Sequence, residues 1–252
     1  MPTTSNYIVI PARLESTRLP RKMLLRETGK SLIQHTYESA SKAIKPSGIC
    51  IATDHASISE EVSRFGGQVQ MTDPNAPSGT DRVAEVARAM PETEVFVNVQ
   101  GDEPEIEPAS IDLVISLLEK DADASVATLA TPIRSREVLD DPNCVKVVLD
   151  DQQRALYFSR SPIPYARTWN DDLLTREPPV FLLHLGIYAY RRDVLLNFTT
   201  WPMAKIEEVE RLEQLRLLAA GHKIAVGVVE NAPAGIDTMA DYRAFVSRAA
   251  AR

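Results

Sequence analysis

The chain has 252 residues, 44% of them apolar and 25% charged, with a formal net charge of −7. That length supports one large α/β domain with a sizeable core, and the acidic balance excludes nucleic-acid binding by bulk attraction. No apolar run approaches the ~20 residues that span a bilayer, and the short polar start from Met1 to Asn6 does not read as a signal peptide.

The first half alternates regularly. Residues 7–11 read as a buried strand, and Ile33, Tyr37, Ala40 and Ile44 follow at helical spacing. Residues 48–53 form a second strand with Asp54 at its end. Ile58, Val62 and Phe65 mark a short helix that Gly66-Gly67 stops. A third strand over 68–72 precedes a helix over 80–90, with Val83, Val86 and Met90 facing inward. A fourth strand, 95–99, runs into Gln100-Gly101-Asp102. Strands alternating with helices predict right-handed βαβ units and a mostly parallel sheet.

Beyond Ser110, Ile111, Val114, Ile115 and Leu118 mark a helix, and 125–131 a strand. Residues 145–149, 155–159 and 182–190 are strand-like with little helix between them, which predicts antiparallel pairing. Residues 160–179, rich in Pro, Asp and Arg, read as a protruding arm. A single helix is expected over 206–220, stopped by Gly221, then a strand over 223–229. A turn over 231–236 leads to Asp237, and Thr238 opens a last helix with Asp241 placed for a capping box. The expected fold is α/β: a Rossmann-like, mostly parallel mixed sheet with an embedded antiparallel section, in a single domain over 1–252. The widely spaced Cys50 and Cys144 read as reduced thiols of a cytoplasmic protein. None of the four histidines stands at a zinc-ligand spacing.

The connection after the first strand is unusually long, and strand-to-helix loops of that length tend to be functional. Between Pro11 and Lys30 it holds six basic residues (Arg13, Arg18, Arg21, Lys22, Arg26, Lys30) against two acidic ones, Glu15 and Glu27. A dinucleotide site would carry glycines here. A triphosphate, with more charge, is better met by arginine forks and a lysine point charge. In a doubly wound sheet of order 3-2-1-4 the carboxyl ends of strands 1 and 4 share one crevice. The basic loop then faces Asp102, a hard oxygen ligand suited to Mg²⁺ and substrate phosphates. Taken alone, Asp102 also reads as a turn residue ending a strand or as a helix cap.

The segments IPARLESTRLPRK, MTDPNAPSGTDR, VFVNVQGDEP, NCVKVVLD, ALYFSRSPIPYAR, HLGIYAYRR, LEQLR and GIDT stand in this order. In that order the chain resembles the CMP-Kdo synthetase family of nucleotide-sugar transferase-like enzymes (3-deoxy-manno-octulosonate cytidylyltransferases) from about residue 7 to 246. The resemblance implies transfer of a cytidylyl group from CTP to the anomeric hydroxyl of the eight-carbon acidic sugar Kdo. It also implies Mg²⁺, a role in lipopolysaccharide biosynthesis, and a homodimer formed by the subregion of about 150–190. No nucleic acid or membrane partner is expected.

Residue by residue, the resemblance implies that Arg13 and Lys22, with Arg18 as a further candidate, hold the triphosphate, and that Pro11 and Ala12 at the head of the loop belong to the nucleotide site. Ser78 and Gln100 become base contacts, although Ser78 fits the turn before its helix equally well. Asp102 and Asp237 become the metal carboxylates. Arg160, Arg167, His184, Tyr188, Glu213 and Gln214 become sugar contacts. Without the resemblance His184 reads as a half-buried strand residue, and Glu213-Gln214 as an exposed helix face.

The chain departs from the family's usual pattern at Glu15, a charge in place of a small residue, and at Arg21, in place of a glycine. The segments NAPAGID and KIEEVERLEQLR depart from it as well. Rival readings are a metal-dependent glycosyltransferase, against which the absence of a clear Asp-x-Asp motif weighs, and a nucleotide sensor without chemistry.

Overall fold

The computed structural model describes residues 5–16, 18–231 and 235–251. The chain forms two compact units, Met1–Asp112 with Pro233–Arg252, and Leu113–Ala232. Residues 1–4 of the polar start, and residues 232–234 of the turn expected at 231–236, lie outside the described residues.

The first unit is built on four parallel strands, β1 (Asn6–Ala12), β2 (Gly48–Thr53), β3 (Val69–Met71) and β4 (Val95–Asn98), in the order β3-β2-β1-β4. This is the winding expected from the sequence. Val9 lies opposite both Cys50 and Asn98. Strands covered on both faces need continuous apolar runs, and Ile8, Val9, Ile10, Ile51, Phe96 and Val97 are all buried.

Helices α1 (Leu32–Ala40), α2 (Ala56–Arg64) and α3 (Gly79–Ala89) begin on side-chain caps from Ser31, His55 and Ser78. Gly66, at φ 76°, ends α2 as expected. The helix expected to reach Ile44 stops at Ala40, and Ile44 is 87% exposed. Pro46 disfavours helix just before it. The backbone N–H groups of Ile44 and Lys45 bind the Asp112 carboxylate instead, at 3.1 and 2.9 Å. The helix α4 (Pro108–Lys120) follows.

In the second unit, β5 (Ala124–Pro132) pairs antiparallel with β8 (Leu182–Arg191) and parallel with β9 (Lys223–Val228). β6 (Lys146–Leu149) pairs antiparallel with β7 (Ala155–Ser159) and with β8. The fold is thus mixed α/β, mostly parallel in its first half, with the antiparallel section where the sequence placed it. Two short helices were not expected, α5 (Arg136–Asp140) and α6 (Arg192–Phe198).

The helix expected over 206–220 is broken into α7 (Lys205–Glu210) and α8 (Gln214–Ala219), with Arg211 left-handed at φ 54° between them. The break lets Arg216 Nε reach back to Glu207 Oε2 at 2.8 Å, nine residues away and beyond helical spacing. Val209 is 83% exposed, whereas Leu212 and Leu215 are buried. The last helix, α9 (Met239–Ala250), opens on the expected Thr238–Asp241 capping box. Among the described residues no helix is long and apolar enough to cross a membrane.

Candidate active site

The long loop after β1 is pinned by its apolar residues. Leu14 and Leu19 are buried, and Leu19 packs with Leu32, Ile236, Tyr242 and Phe245. The Tyr242 hydroxyl donates to the Glu27 carboxylate and accepts from Glu27 N at 3.1 Å. The C-terminal helix therefore braces the loop, while Arg13 and Arg18 remain exposed. Glu15 is exposed too, and among the described residues no ion pair engages it.

Lys22 behaves differently from the arginines. It opens a 3₁₀ turn, Lys22–Leu24, and only 8% of it is exposed. Its ammonium donates to Asp102 Oδ2, to the Ile236 carbonyl at 3.0 Å and to Asp237 Oδ1 at 3.4 Å. Arg18 Nη2 binds the same Asp237 oxygen at 2.9 Å. Asp102 and Asp237 are far apart in sequence, yet they converge on one cation. The Ile236 N–H donates to the Asp102 carbonyl at 3.0 Å, tying the two segments together. Asp102 follows β4 through Gly101, where a side chain would meet the Pro11 carbonyl and Met23 at 3.1 Å. Glycine is needed there for the protein's own packing. Burial and the neighbouring Asp102 charge push the Glu103 carboxyl up to about 8.

Arg21, where the family usually has glycine, lies at φ 55°, ψ 28°. This is left-handed backbone that an L side chain adopts only at a cost. Arg13 Nη2 donates to the Ala76 carbonyl at 2.8 Å, so the basic loop is tied to the segment before α3. Ser78 caps α3, accepting from Asp81 N at 3.3 Å and donating to Asp81 Oδ2 at 2.7 Å. Pro11 and Ala12 are buried at the end of β1, opposite Ala52 and Thr53. Gln100 is half-buried in the turn after β4.

The residues assigned to the sugar all lie in the second unit. β8 carries two extra residues, Gly186 and Ile187, between the partners of Thr128 and Leu129 on β5. At this bulge the Thr128 hydroxyl lies 2.7 Å from the Ile187 carbonyl and 3.1 Å from His184 Nε2. The His184 and Tyr188 rings are 5.3 Å apart, and His184 stands edge-on to Phe158 at 5.0 Å. Burial drives the His184 pKa down to about 3. Burial, then the Tyr190 and Glu213 charges, drive that of Tyr188 up. Gln214 is buried and Glu213 exposed, so the exposed face expected of the pair holds for Glu213 alone.

Arg160 is held by the Glu210 carbonyl on Nε (2.7 Å) and the Pro142 carbonyl on Nη1 (2.9 Å). Among the described residues no hydrogen bond engages its Nη2. Arg167 is exposed on the arm.

Sequence reasoning missed Arg82. It is 1% exposed, and it binds Asp54 Oδ2 and Thr72 Oγ1 at 2.7 Å and the Asp73 carbonyl at 3.0 Å. The available signal was Asp54 closing β2, with a basic residue at the start of the next helix but one. The brace from Tyr242 to Glu27 carried no local signal.

A family model described as cytidylyltransferase matches residues 7–224. The chain is 49% identical over 242 residues, 96% of it and 97% of the relative, to the 3-deoxy-manno-octulosonate cytidylyltransferase of Rhodopirellula baltica. It is 44% identical, over 96% of the chain and 98% of the relative, to the 8-amino-3,8-dideoxy-manno-octulosonate cytidylyltransferase of Shewanella woodyi. A solved structure of CMP:2-keto-3-deoxy-manno-octonic acid synthetase complexed with CTP is similar at a TM-score of 0.91 and 42% identity, covering 98% of this chain and 99% of that one. With this likeness along nearly its whole length, the chain belongs to the cytidylyltransferase family, among the 3-deoxy-manno-octulosonate cytidylyltransferases.

Proposed function

We propose that this protein transfers the cytidylyl group of CTP to the anomeric hydroxyl of Kdo, giving CMP-Kdo and pyrophosphate for lipopolysaccharide assembly in the cytoplasm. The observation that carries the reading is the convergence of Asp102 and Asp237 on the Lys22 ammonium, with Arg18 on the same Asp237 oxygen. The anomeric oxygen bonds to the α-phosphorus, losing its proton to solvent, as the bond to the bridging oxygen breaks and the β- and γ-phosphates leave together as pyrophosphate. Arg13, Arg18 and Lys22 hold the triphosphate and take up charge on the departing pyrophosphate. Ser78 and Gln100, with Pro11 and Ala12, face the nucleoside.

Asp102 and Asp237 fit Mg²⁺. Their oxygens already enclose a cation, and two carboxylates plus substrate phosphates are a usual Mg²⁺ ligand set. Among the described residues no group of three or more His, Cys, Asp and Glu is placed to hold a metal, so phosphates would complete the set. When bound, Mg²⁺ would neutralise charge on the phosphoryl and attacking oxygens.

In the second unit, Arg160 keeps Nη2 for the sugar carboxylate, and Arg167 supplies a second cation. His184, neutral at physiological pH, lies with Tyr188, Glu213 and Gln214 to meet sugar hydroxyls. The second unit also bears an apolar cavity of about 830 Å³ lined by Val147, Leu156, Pro164, Pro179 and Val228. Leu156 is 60% exposed there. That surface, with the arm, supports a homodimer contact, and the whole chain serves as one nucleotidyltransferase domain.

Pyrophosphate release measured with Mg²⁺, each of the four nucleoside triphosphates, and Kdo, its 8-amino relative or sialic acid tests the reading. Release with CTP and Kdo above all other pairs is expected. Preference for the 8-amino sugar would move the acceptor, and CTP binding without release would leave a sensor.

A further inference from the structure

Lys22 occupies a position that the metal reading gives to a different cation. Its ammonium takes one oxygen each from Asp102, Ile236 and Asp237, which uses all three of its donors. With Arg18 on Asp237, two positive side chains offset two carboxylates, and the cluster is locally neutral before any ligand arrives. A divalent cation entering alone would have to expel a buried ammonium and then sit among two unsatisfied cations. A nucleoside triphosphate changes that balance, because its oxygens give Lys22 and Arg18 somewhere else to bind.

Resting on the metal-site reading above, we propose that Lys22 is a placeholder cation. It fills the seat between Asp102 and Asp237 in the free protein and keeps a lone divalent ion out until a nucleoside triphosphate draws it away. The metal then enters with the nucleotide or after it, and never first. Lys22 thereby does two jobs in sequence: counter-ion to the aspartates, then counter-ion to the phosphates.

Mn²⁺ binding, followed by the loss of the free-ion electron paramagnetic resonance signal, reads this directly and needs no turnover. Three proteins are titrated without nucleotide: the native chain, Lys22→Gln and Lys22→Met. The native chain is titrated again with a CTP analogue that carries a non-transferable α–β bridge. The native chain should bind Mn²⁺ at least about tenfold more weakly alone than with the analogue. Lys22→Gln should bind Mn²⁺ alone at least about tenfold more tightly than the native chain does. The glutamine amide still donates to the aspartates, so that variant keeps the local fold, and circular dichroism checks both variants.

Equal Mn²⁺ affinity of the native chain with and without the analogue overturns the placeholder and leaves the metal site standing. So does Lys22→Gln binding Mn²⁺ no better than the native chain. Absence of Mn²⁺ binding even with the analogue removes the metal site itself, and the placeholder with it.

Discussion

Arg82 and Asp54 form an ion pair, 2.7 Å from Nη2 to Oδ2, in which the arginine side chain is 1% exposed. Arg82 also holds Thr72 and the Asp73 carbonyl. A few residues on, the Ala76 carbonyl accepts from Arg13. The pair thus fixes the segment that positions one arm of the basic loop. Removing one partner of a buried pair strands the other charge and costs about 3–5 kcal/mol. Asp54 is itself partly exposed, so Asp54→Asn should cost about 3 kcal/mol in urea unfolding. The KM for CTP should rise several-fold, with kcat less affected. Native stability in that variant would show that Arg82 is satisfied without the carboxylate.

Arg21 is left-handed one residue before Lys22. The conformation costs a non-glycine residue about 1–2 kcal/mol, and glycine gives back about 0.4–1 through the freer unfolded chain. Arg21→Gly should therefore stabilise the protein by about 0.5–1 kcal/mol. If Arg21 also serves the triphosphate, the KM for CTP rises in the same variant. Denaturation and kinetics on one sample separate the two effects, and a loss of stability would contradict the strain.

Asp102 and Asp237 differ in exposure, 25% and 47% of their side chains. Asp237→Asn should leave stability within about 1 kcal/mol, as surface substitutions do. Asp102→Asn should destabilise more, because Lys22 is buried against it. If both hold the metal, each should lower kcat at least about a hundredfold and move the KM for CTP far less. Near-native turnover in both variants would remove them from the metal site.

The parallel half of the fold was legible because its central strands, β1, β2 and β4, are largely apolar and several helices open on a cap, as at Ser31, Ser78 and Thr238. The convergence of Asp102 with the basic loop followed from strand order alone. The inward fate of Lys22 did not, because nothing local separates a buried lysine from Arg18 or Arg21. It depends on Leu19 and Tyr242 drawing the loop against α9 across the length of the chain. The break at Arg211 was equally hidden. Periodicity runs through it, and only the Glu207–Arg216 pair explains it. Arg82 was missed because its partners, Asp54 and Thr72, are long-range and mean nothing until β2 and β3 lie side by side.

His184 links the sugar-facing strand to pH. Burial lowers its pKa from 6.5 to about 3 in the folded chain, so as pH falls the unfolded chain takes up this proton first. Its contribution to stability is complete above about pH 6.5 and is lost progressively as pH falls from there toward 3. Between pH 6.5 and 4 the loss assigned to this residue is at most about 3 kcal/mol. His184→Phe removes the titration and keeps the edge-on contact with Phe158. Thr128 retains the Ile187 and Leu185 carbonyls as partners. The variant's unfolding free energy should therefore fall less steeply with acid than that of the native chain, and the two curves should separate below about pH 6.5. Parallel curves would place the His184 ring in contact with water, with a pKa near its ordinary value. A flatter curve in the variant, with the KM for the sugar raised at pH 8, would tie the same neutral imidazole to substrate binding.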